Sequence, residues 1–455
     1  MFRSSLQELV KWKDQYNRKP LIIRGARQTG KTWLVRKFGQ ENFENFVEIN
    51  LDRYPEKAGL FSMNVTQSLQ YISIDTNVSI IPGKTLLFLD EIQNAPQIIP
   101  ILRYFYEEMP NVHIIATGSL LDFVLENHEF SMPVGRISYF YLGPMTFEEF
   151  LRANNEFSLL DLLRKADVSD IPEPLHIKLL EYVKLYWIIG GMPAAVQTYI
   201  ATKDIRLVQQ EHESILQTYQ DDFAKYQRKV DSHLLRKIFQ KIPSQLGKKV
   251  MYSQILRDET SKKISQHLNL LSMARILYPI HHSAGNGVPL GSEINERDFK
   301  LLFLDIGLLS TIFKLHLHQI TDLDELLFVN NGVMAEQFIG QHLLYRHGST
   351  LKPEIFYWRR QAKSSSSELD YLIEYQGTVL PIEVKAGKSG SLKSLHIFIS
   401  SKNTPIAIRF NTNQGIVEDS VASIGNNKAF CLLSLALYQV GQLERLYVQL
   451  KSSKY

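Results

Sequence analysis

GARQTGKT at residues 25–32, entered through PLIIRG at 20–25 and left through TWLVRKFGQ at 32–40, decides the fold class. It fits G-x-x-x-x-G-K-[ST], with Gly25, Gly30, Lys31 and Thr32 at the fixed positions. Glycines let backbone N–H groups close around phosphates. Lys31 offers a point charge to the terminal phosphates, and the Thr32 hydroxyl offers a ligand to Mg²⁺. Ala26, Arg27, Gln28 and Thr29 complete the loop. The run before it reads as a strand and the run after it has helical spacing, which is the context this motif requires. The expectation is a site for ATP and Mg²⁺ on an α/β parallel sheet.

A second stretch supplies the partners. KTLLFLDEIQ at 84–93 is apolar from Leu86 to Leu89 and ends in Asp90 and Glu91. A continuous apolar strand belongs in the middle of a parallel sheet. Its C-terminal end is where open α/β sheets place ligands. Asp90 is expected in the Mg²⁺ shell, and Glu91 is expected to polarise an attacking water. A third strand, NVHIIATGS at 111–119, ends in small polar residues. Ser119 or Thr117 could sense a γ-phosphate, although a plain turn accounts for Gly118-Ser119 equally well.

RGARQTGKT, LLFLDEIQ, IIATGSLL and the later VGRISYFYLGPMTFEEF at 134–150 stand in an order that resembles the AAA+ ATPase domain of a large prokaryotic family, the AAA_14 type. That family carries a C-terminal domain of the DUF4143 type. GGMP at 190–193 occupies a place where the family often has a Gly-Gly-x-Pro turn. The resemblance implies ATP hydrolysis, a homo-oligomer, and an arginine finger at Arg136. From the residues alone, Arg136 is equally an exposed loop arginine. Arg27 fits the family's wording of the loop, without a role fixed by chemistry.

Composition bounds the rest. A chain of 455 residues accommodates two or three domains. A formal charge of +4 permits contact with nucleic acid and argues for nothing alone. Cys431 is the single cysteine, so neither an intrachain disulfide nor a cysteine-rich zinc site is available. The 13 histidines are scattered, without zinc spacing. The longest apolar stretches, such as CLLSLALYQV at 431–440, fall short of the roughly 18 to 20 residues of a membrane span. The charged N-terminus lacks a signal-peptide core. A soluble, cytoplasmic protein is expected.

Residues 172–246 show helical spacing. From about 231 to 310, three short helices precede a Gly/Pro-tipped hairpin, with FKLLFLDIGLLS read as strand. This is the outline of a winged helix. Its last helix offers Lys262, Lys263 and His267 to a DNA major groove, or serves in packing and relay. Asp221-Asp222, near Lys225, Arg228 and Lys229, reads as salt-bridged helix surface.

The last third carries a different constellation. A helix at 331–348 is followed by strand-like EIFYWRR at 354–360, ELDYLIEY at 368–375 and TVLPIEVKAG at 378–387. Glu383 and Lys385 are two apart, so they share one face of a strand. Asp370 can reach that face by cross-strand pairing. Asp370 and Glu383 are expected to hold Mg²⁺, with Lys385 positioning a water and Glu336 completing the shell from the helix. Lys388 could add a phosphate contact. The set resembles the PD-(D/E)xK nuclease core, with Leu369 in place of the proline. The resemblance implies either Mg²⁺-dependent cleavage of nucleic acid, DNA first, or a non-cleaving domain that grips DNA or a protein. The domains are read as an AAA+ ATPase at 1–200, a winged-helix unit at 205–320 and a nuclease-like α/β domain at 325–455.

Overall fold

The computed structural model describes residues 2–126, 133–223, 231–315, 331–346, 350–360, 367–387, 391–402, 404–421 and 429–454. Helix α1 (Ser5–Lys13) precedes β1 (Leu21–Arg24), and the glycine loop then leads into α2 (Lys31–Asn42). Next come β2 (Asn45–Asn50), α3 (Val65–Thr76), β3 (Thr85–Asp90), α4 (Leu102–Glu108), β4 (His113–Gly118), α5 (Leu121–Glu126) and β5 (Ser138–Tyr141). The five strands form one parallel sheet in the order β2-β3-β4-β1-β5. Every residue of β3 and β4 is buried, as expected of central strands covered on both faces.

Helices α6 (Phe147–Ala153), α7 (Phe157–Lys165), α8 (Glu173–Ile189), α9 (Pro193–Thr202) and α10 (Ile205–Asp222) follow. Then come α11 (Ser232–Lys241), α12 (Tyr252–Ile255) and α13 (Ser261–Met273), and the hairpin strands β6 (Leu277–Ser283) and β7 (Ile294–Phe303). The stretch from Ile306 to Ser310, read from the sequence as strand, lies in helix α14 (Ile306–Ile312). Asp305 explains the difference: its carboxylate accepts from the N–H groups of Gly307 at 2.9 Å and Leu308 at 3.2 Å, a side-chain N-cap.

The C-terminal part runs through α15 (Asn331–Leu344), β8 (Phe356–Arg359), β9 (Glu368–Tyr375), β10 (Thr378–Val384), α16 (Lys393–Ser401), β11 (Ile406–Asn411), β12 (Ile416–Val421), β13 (Ala429–Ala436) and α17 (Leu443–Lys454). Its sheet has eight strands in the order β12-β13-β11-β10-β9-β8-β6-β7. The hairpin expected as the wing of a separate unit is therefore part of this sheet, with His281 and His282 of β6 in parallel register with Phe356 and Tyr357 of β8. Residues Asp298 to Phe303 of β7 are buried at every position, so the strand needs cover on both faces. A free wing would leave one face in water.

The parts share one core. Phe147 from α6 stacks edge-on against Phe338 from α15, with centroids 5.9 Å apart, and Tyr186 from α8 packs on both. At the junction lies Gly190-Gly191. A Cβ on Gly190, whose φ is +68°, would stand 2.1 Å from Asp305 Oδ1; one on Gly191 would stand 2.2 Å from the Met145 carbonyl oxygen. Only glycines let the chain pass there. Among the described residues no helix is long and apolar enough to cross a membrane.

Candidate functional site

The sequence places the glycine loop at the C-terminal end of β1, and the parallel register brings the ends of β3 and β4 beside it. Gly30 starts α2 with φ +89°, a conformation that glycine adopts without strain. Lys31 is buried, and its Nζ donates to the carbonyl oxygens of Gly25 at 3.0 Å and Ala26 at 2.7 Å. Burial lowers its pKa to about 8 against the opposing pull of Glu91 and Asp90. Thr32 Oγ1 donates to Asp90, 3.1 and 3.2 Å from the two oxygens. Thr117 Oγ1 also donates to Asp90, and Asn50 Nδ2 donates at 3.1 Å. Burial pushes the Asp90 carboxyl up, and the Thr117 hydrogen bond pulls it back.

Glu91 stands in the left-handed region, with φ +56°. Gln93 Nε2 donates to Glu91 Oε2 at 2.5 Å, and Ser119 Oγ donates to the same oxygen at 3.4 Å. Of the two candidate sensors, Thr117 thus contacts Asp90 and Ser119 contacts Glu91. The hydroxyl of Thr32 facing a carboxylate is a hard-oxygen pair of the kind that suits Mg²⁺, so the residues fit that ion.

The loop is held from behind. Arg3 is 3% exposed; its Nη1 donates to the Thr29 carbonyl at 2.9 Å and its Nη2 to that of Gly143 at 2.8 Å. Tyr219 of α10 donates to the Arg27 carbonyl at 2.9 Å, and Asp222 lies 2.8 Å from Arg27 Nε. Gln28 Nε2 reaches Thr218 at 3.4 Å. Asp222, expected on a salt-bridged helix surface, is buried against the loop; Lys225, Arg228 and Lys229 lie outside the described residues.

The C-terminal candidates also converge, around a residue that sequence reasoning missed. Asp370 Oδ2 accepts from the Val384 N–H at 2.7 Å, which ties β9 to β10 next to Glu383. Lys385 donates to Glu383 Oε1, and among the described residues Glu383 Oε2 is buried without a hydrogen-bond partner. Lys300 of β7 projects into the same cluster, its Nζ 2.6 Å from Glu368, 3.4 Å from Glu336 and 3.7 Å from Asp370. Burial raises the Glu336 pKa to about 8 despite Lys300, and that of Glu383 to about 7, with Asp370 adding to the rise. Burial opposes the charge on Lys300, but the carboxylates around it hold its pKa well above the usual lysine value. Gly247 covers this end: a Cβ there would come within 3.8 Å of Glu336 Oε2.

The expected metal shell of Glu336, Asp370 and Glu383 is not assembled. Among the described residues no group of three Asp, Glu, His or Cys side chains could hold a metal ion. The ammonium of Lys300 instead lies within 3.7 Å of Glu336, Glu368 and Asp370. The signal in the sequence was a lone lysine in the apolar run FKLLF at 299–303.

Residues 17–151 match a family described as AAA domain. The chain carries an AAA domain. Residues 180–319 and 331–428 match two domains of unknown function, DUF8612 and DUF4143. No curated protein matches the chain. Among solved structures, the Aeropyrum pernix ORC2 protein is 12% identical over 70% of this chain and 96% of its own, with a TM-score of 0.37. The Aeropyrum pernix ORC1 protein in complex with DNA is 13% identical over 68% and 91%, with a TM-score of 0.27. C. elegans PCH-2 is 15% identical over 44% and 59%, with a TM-score of 0.26.

Two further candidates lie away from both clusters. Arg136 precedes β5 at the end of the AAA sheet opposite the glycine loop, because β5 runs parallel to β1 with Ser138 beside Leu21. Its Nε donates to Glu107 at 2.7 Å, so the chain's own loop and Arg136 are not brought together. In the DUF8612 segment His267 is buried, with Nδ1 2.6 Å from the Lys263 carbonyl and Nε2 3.2 Å from that of Asp231. That ring cannot read a base edge, which corrects the expectation for it. Lys263 pairs with Glu259 at 3.1 Å, and Lys388 lies outside the described residues. Gln93, Asn50 and Arg3 had no motif to announce them.

Proposed function

We propose that this chain binds and hydrolyses ATP at Gly25–Thr32, Asp90 and Glu91, and uses the cycle to change the grip of its C-terminal sheet on nucleic acid, most simply DNA. The observation that carries the reading is Thr32 facing Asp90 at 3.1 Å, with Glu91 held beside it by Gln93 and Ser119. Bound Mg²⁺ would supply charge neutralisation of the phosphates from Thr32 and Asp90. The residues of the chain do the rest. Lys31 exchanges the carbonyl oxygens of Gly25 and Ala26 for phosphate oxygens. Glu91 orients water for in-line attack and takes its proton. Ser119, through Glu91, reports whether the terminal phosphate is present.

The same loop is wired to the rest of the protein through Arg27, Tyr219 and Asp222. A phosphate drawn into the loop would move α10, whose His212 bonds Thr311 of α14, the helix that follows β7 of the C-terminal sheet. Arg136, exposed and far from its own loop, suits a finger donated in trans within a homo-oligomer. The Lys300 ammonium seated against Glu336, Glu368 and Asp370 favours gripping over cutting for the C-terminal domain.

The test is ATPase activity with and without DNA. Stimulation or inhibition by DNA supports coupling, and ATPase activity indifferent to every nucleic acid defeats it. Mixing Arg136→Ala with Lys31→Ala protein should restore activity that neither shows alone. An ATP-bound particle that stays monomeric by light scattering would remove the trans finger.

A further inference from the structure

We propose that Lys300 is the resident cation of the C-terminal acidic cluster, seated where a divalent metal shared by Glu336 and Asp370 would have to lie, so that no metal takes that position. The inference rests on the reading of this domain as one that grips rather than cuts. An ion shared by Glu336 and Asp370 needs oxygens at about 2.0 to 2.6 Å. Lys300 Nζ already lies within 3.7 Å of oxygens from Glu336, Glu368 and Asp370. A second cation placed a few ångströms from it would be repelled, with only partial screening by water, since the three carboxylate side chains are 13 to 32% exposed.

Lys300 is held on several sides. It rises from β7 between buried neighbours, is itself 4% exposed, and its strand is paired along β6. Its ammonium also lies 5.6 Å from the ring centre of Tyr357. On the Glu336 side, away from Asp370, Glu368 and Glu383, the cavity bounded by Leu246, Gly247, Lys300, Val333, Glu336 and Tyr371 holds about 10 Å³. That is room for one water at most. Mg²⁺ gives up its waters reluctantly and usually keeps several. On the Glu336 side no space remains for a hydrated ion, and the Lys300 charge opposes one between Glu336 and Asp370.

The cluster nevertheless retains a metal's ligand chemistry, which makes the inference testable. Lys300→Met removes the cation and keeps most of the volume, leaving carboxylates that suit Mn²⁺. Binding of Mn²⁺ to nucleotide-free full-length protein is followed by electron paramagnetic resonance. Lys300→Met should bind Mn²⁺ at least tenfold more tightly than the parent, and adding Asp370→Asn should abolish the gain. Equal binding by Lys300→Met and the parent would overturn the assignment while leaving the gripping reading intact. Should Lys300→Met fail to fold, the parent itself decides. Asp370→Asn should leave the parent's Mn²⁺ binding unchanged, and a loss of a bound ion in that variant would overturn the assignment. Mg²⁺-dependent cleavage of DNA or RNA by the parent, lost in Asp370→Asn, would overturn both readings together.

Discussion

The glycine loop and the C-terminal cluster are built from the same residue types, a buried lysine beside strand-end carboxylates, and they reach opposite electrostatic states. In the AAA domain Lys31 rests on the backbone carbonyls of Gly25 and Ala26, while hydroxyls and an amide satisfy Asp90. Lysine and carboxylates stay apart, and burial leaves the lysine easier to deprotonate. In the C-terminal cluster Lys300 sits among the carboxylates themselves. One site waits for a charged ligand and the other has neutralised itself. Which state results depends on whether the lysine has an acceptor other than the acids.

The largest expected effect breaks the self-neutralised side. Lys300→Met leaves partly buried carboxylates without their cation and should cost up to about 3 kcal/mol of stability. Urea unfolding midpoints check this. Lys31→Met, whose partners are neutral carbonyls, should cost no more than about 1 kcal/mol. Equal losses for the two would erase the contrast.

The next effect is on turnover. Glu91→Gln keeps the shape of the side chain and loses its charge, so ATP should still bind while hydrolysis falls about 10²- to 10³-fold. Turnover at the parental rate would remove Glu91 from the reaction.

A smaller effect sharpens the difference through pH. The Lys31 pKa is lowered to about 8 in the folded chain from an ordinary 10.5. Between those values the unfolded chain binds more protons than the native one, so stability rises with pH there. From pH 8 to pH 10 the parent should gain up to about 2 kcal/mol relative to Lys31→Met. Any gain of the parent relative to Lys300→Met over the same range must come from Glu336, whose pKa rises further without Lys300, because Lys300 itself holds its proton throughout. Chemical unfolding of the three proteins at both pH values measures it.

The smallest effect is an expected null. Lys385→Ala should leave ATP turnover within about twofold, since its partner Glu383 belongs to the other sheet. A tenfold loss would mean that the two sites are one.

Much of the AAA side was legible because its chemistry is local in the chain. Gly25, Gly30, Lys31 and Thr32 sit in one turn, and Asp90 and Glu91 end one apolar strand, so spacing alone carries the argument. Gln93 escaped because nothing in the sequence says that it turns back onto Glu91. The C-terminal residues Asp370, Glu383 and Lys385 were legible for a similar reason, as they lie on two strands adjacent in sequence. Lys300 was not. It comes from β7, and β6 and β8 stand between that strand and β9 in the sheet.

The sequence by itself therefore determined the glycine loop, the acidic end of β3 beside it and the facing of Glu383 with Lys385, because periodicity and motif spacing act over a few residues. Tertiary structure alone decided that the expected wing is an edge of the C-terminal sheet, that Arg3 and α10 brace the glycine loop, and that Lys300 occupies the acidic cluster. Those outcomes depend on which distant strands share hydrogen bonds and which charges are buried together, and a charge finds its partner through space rather than along the chain.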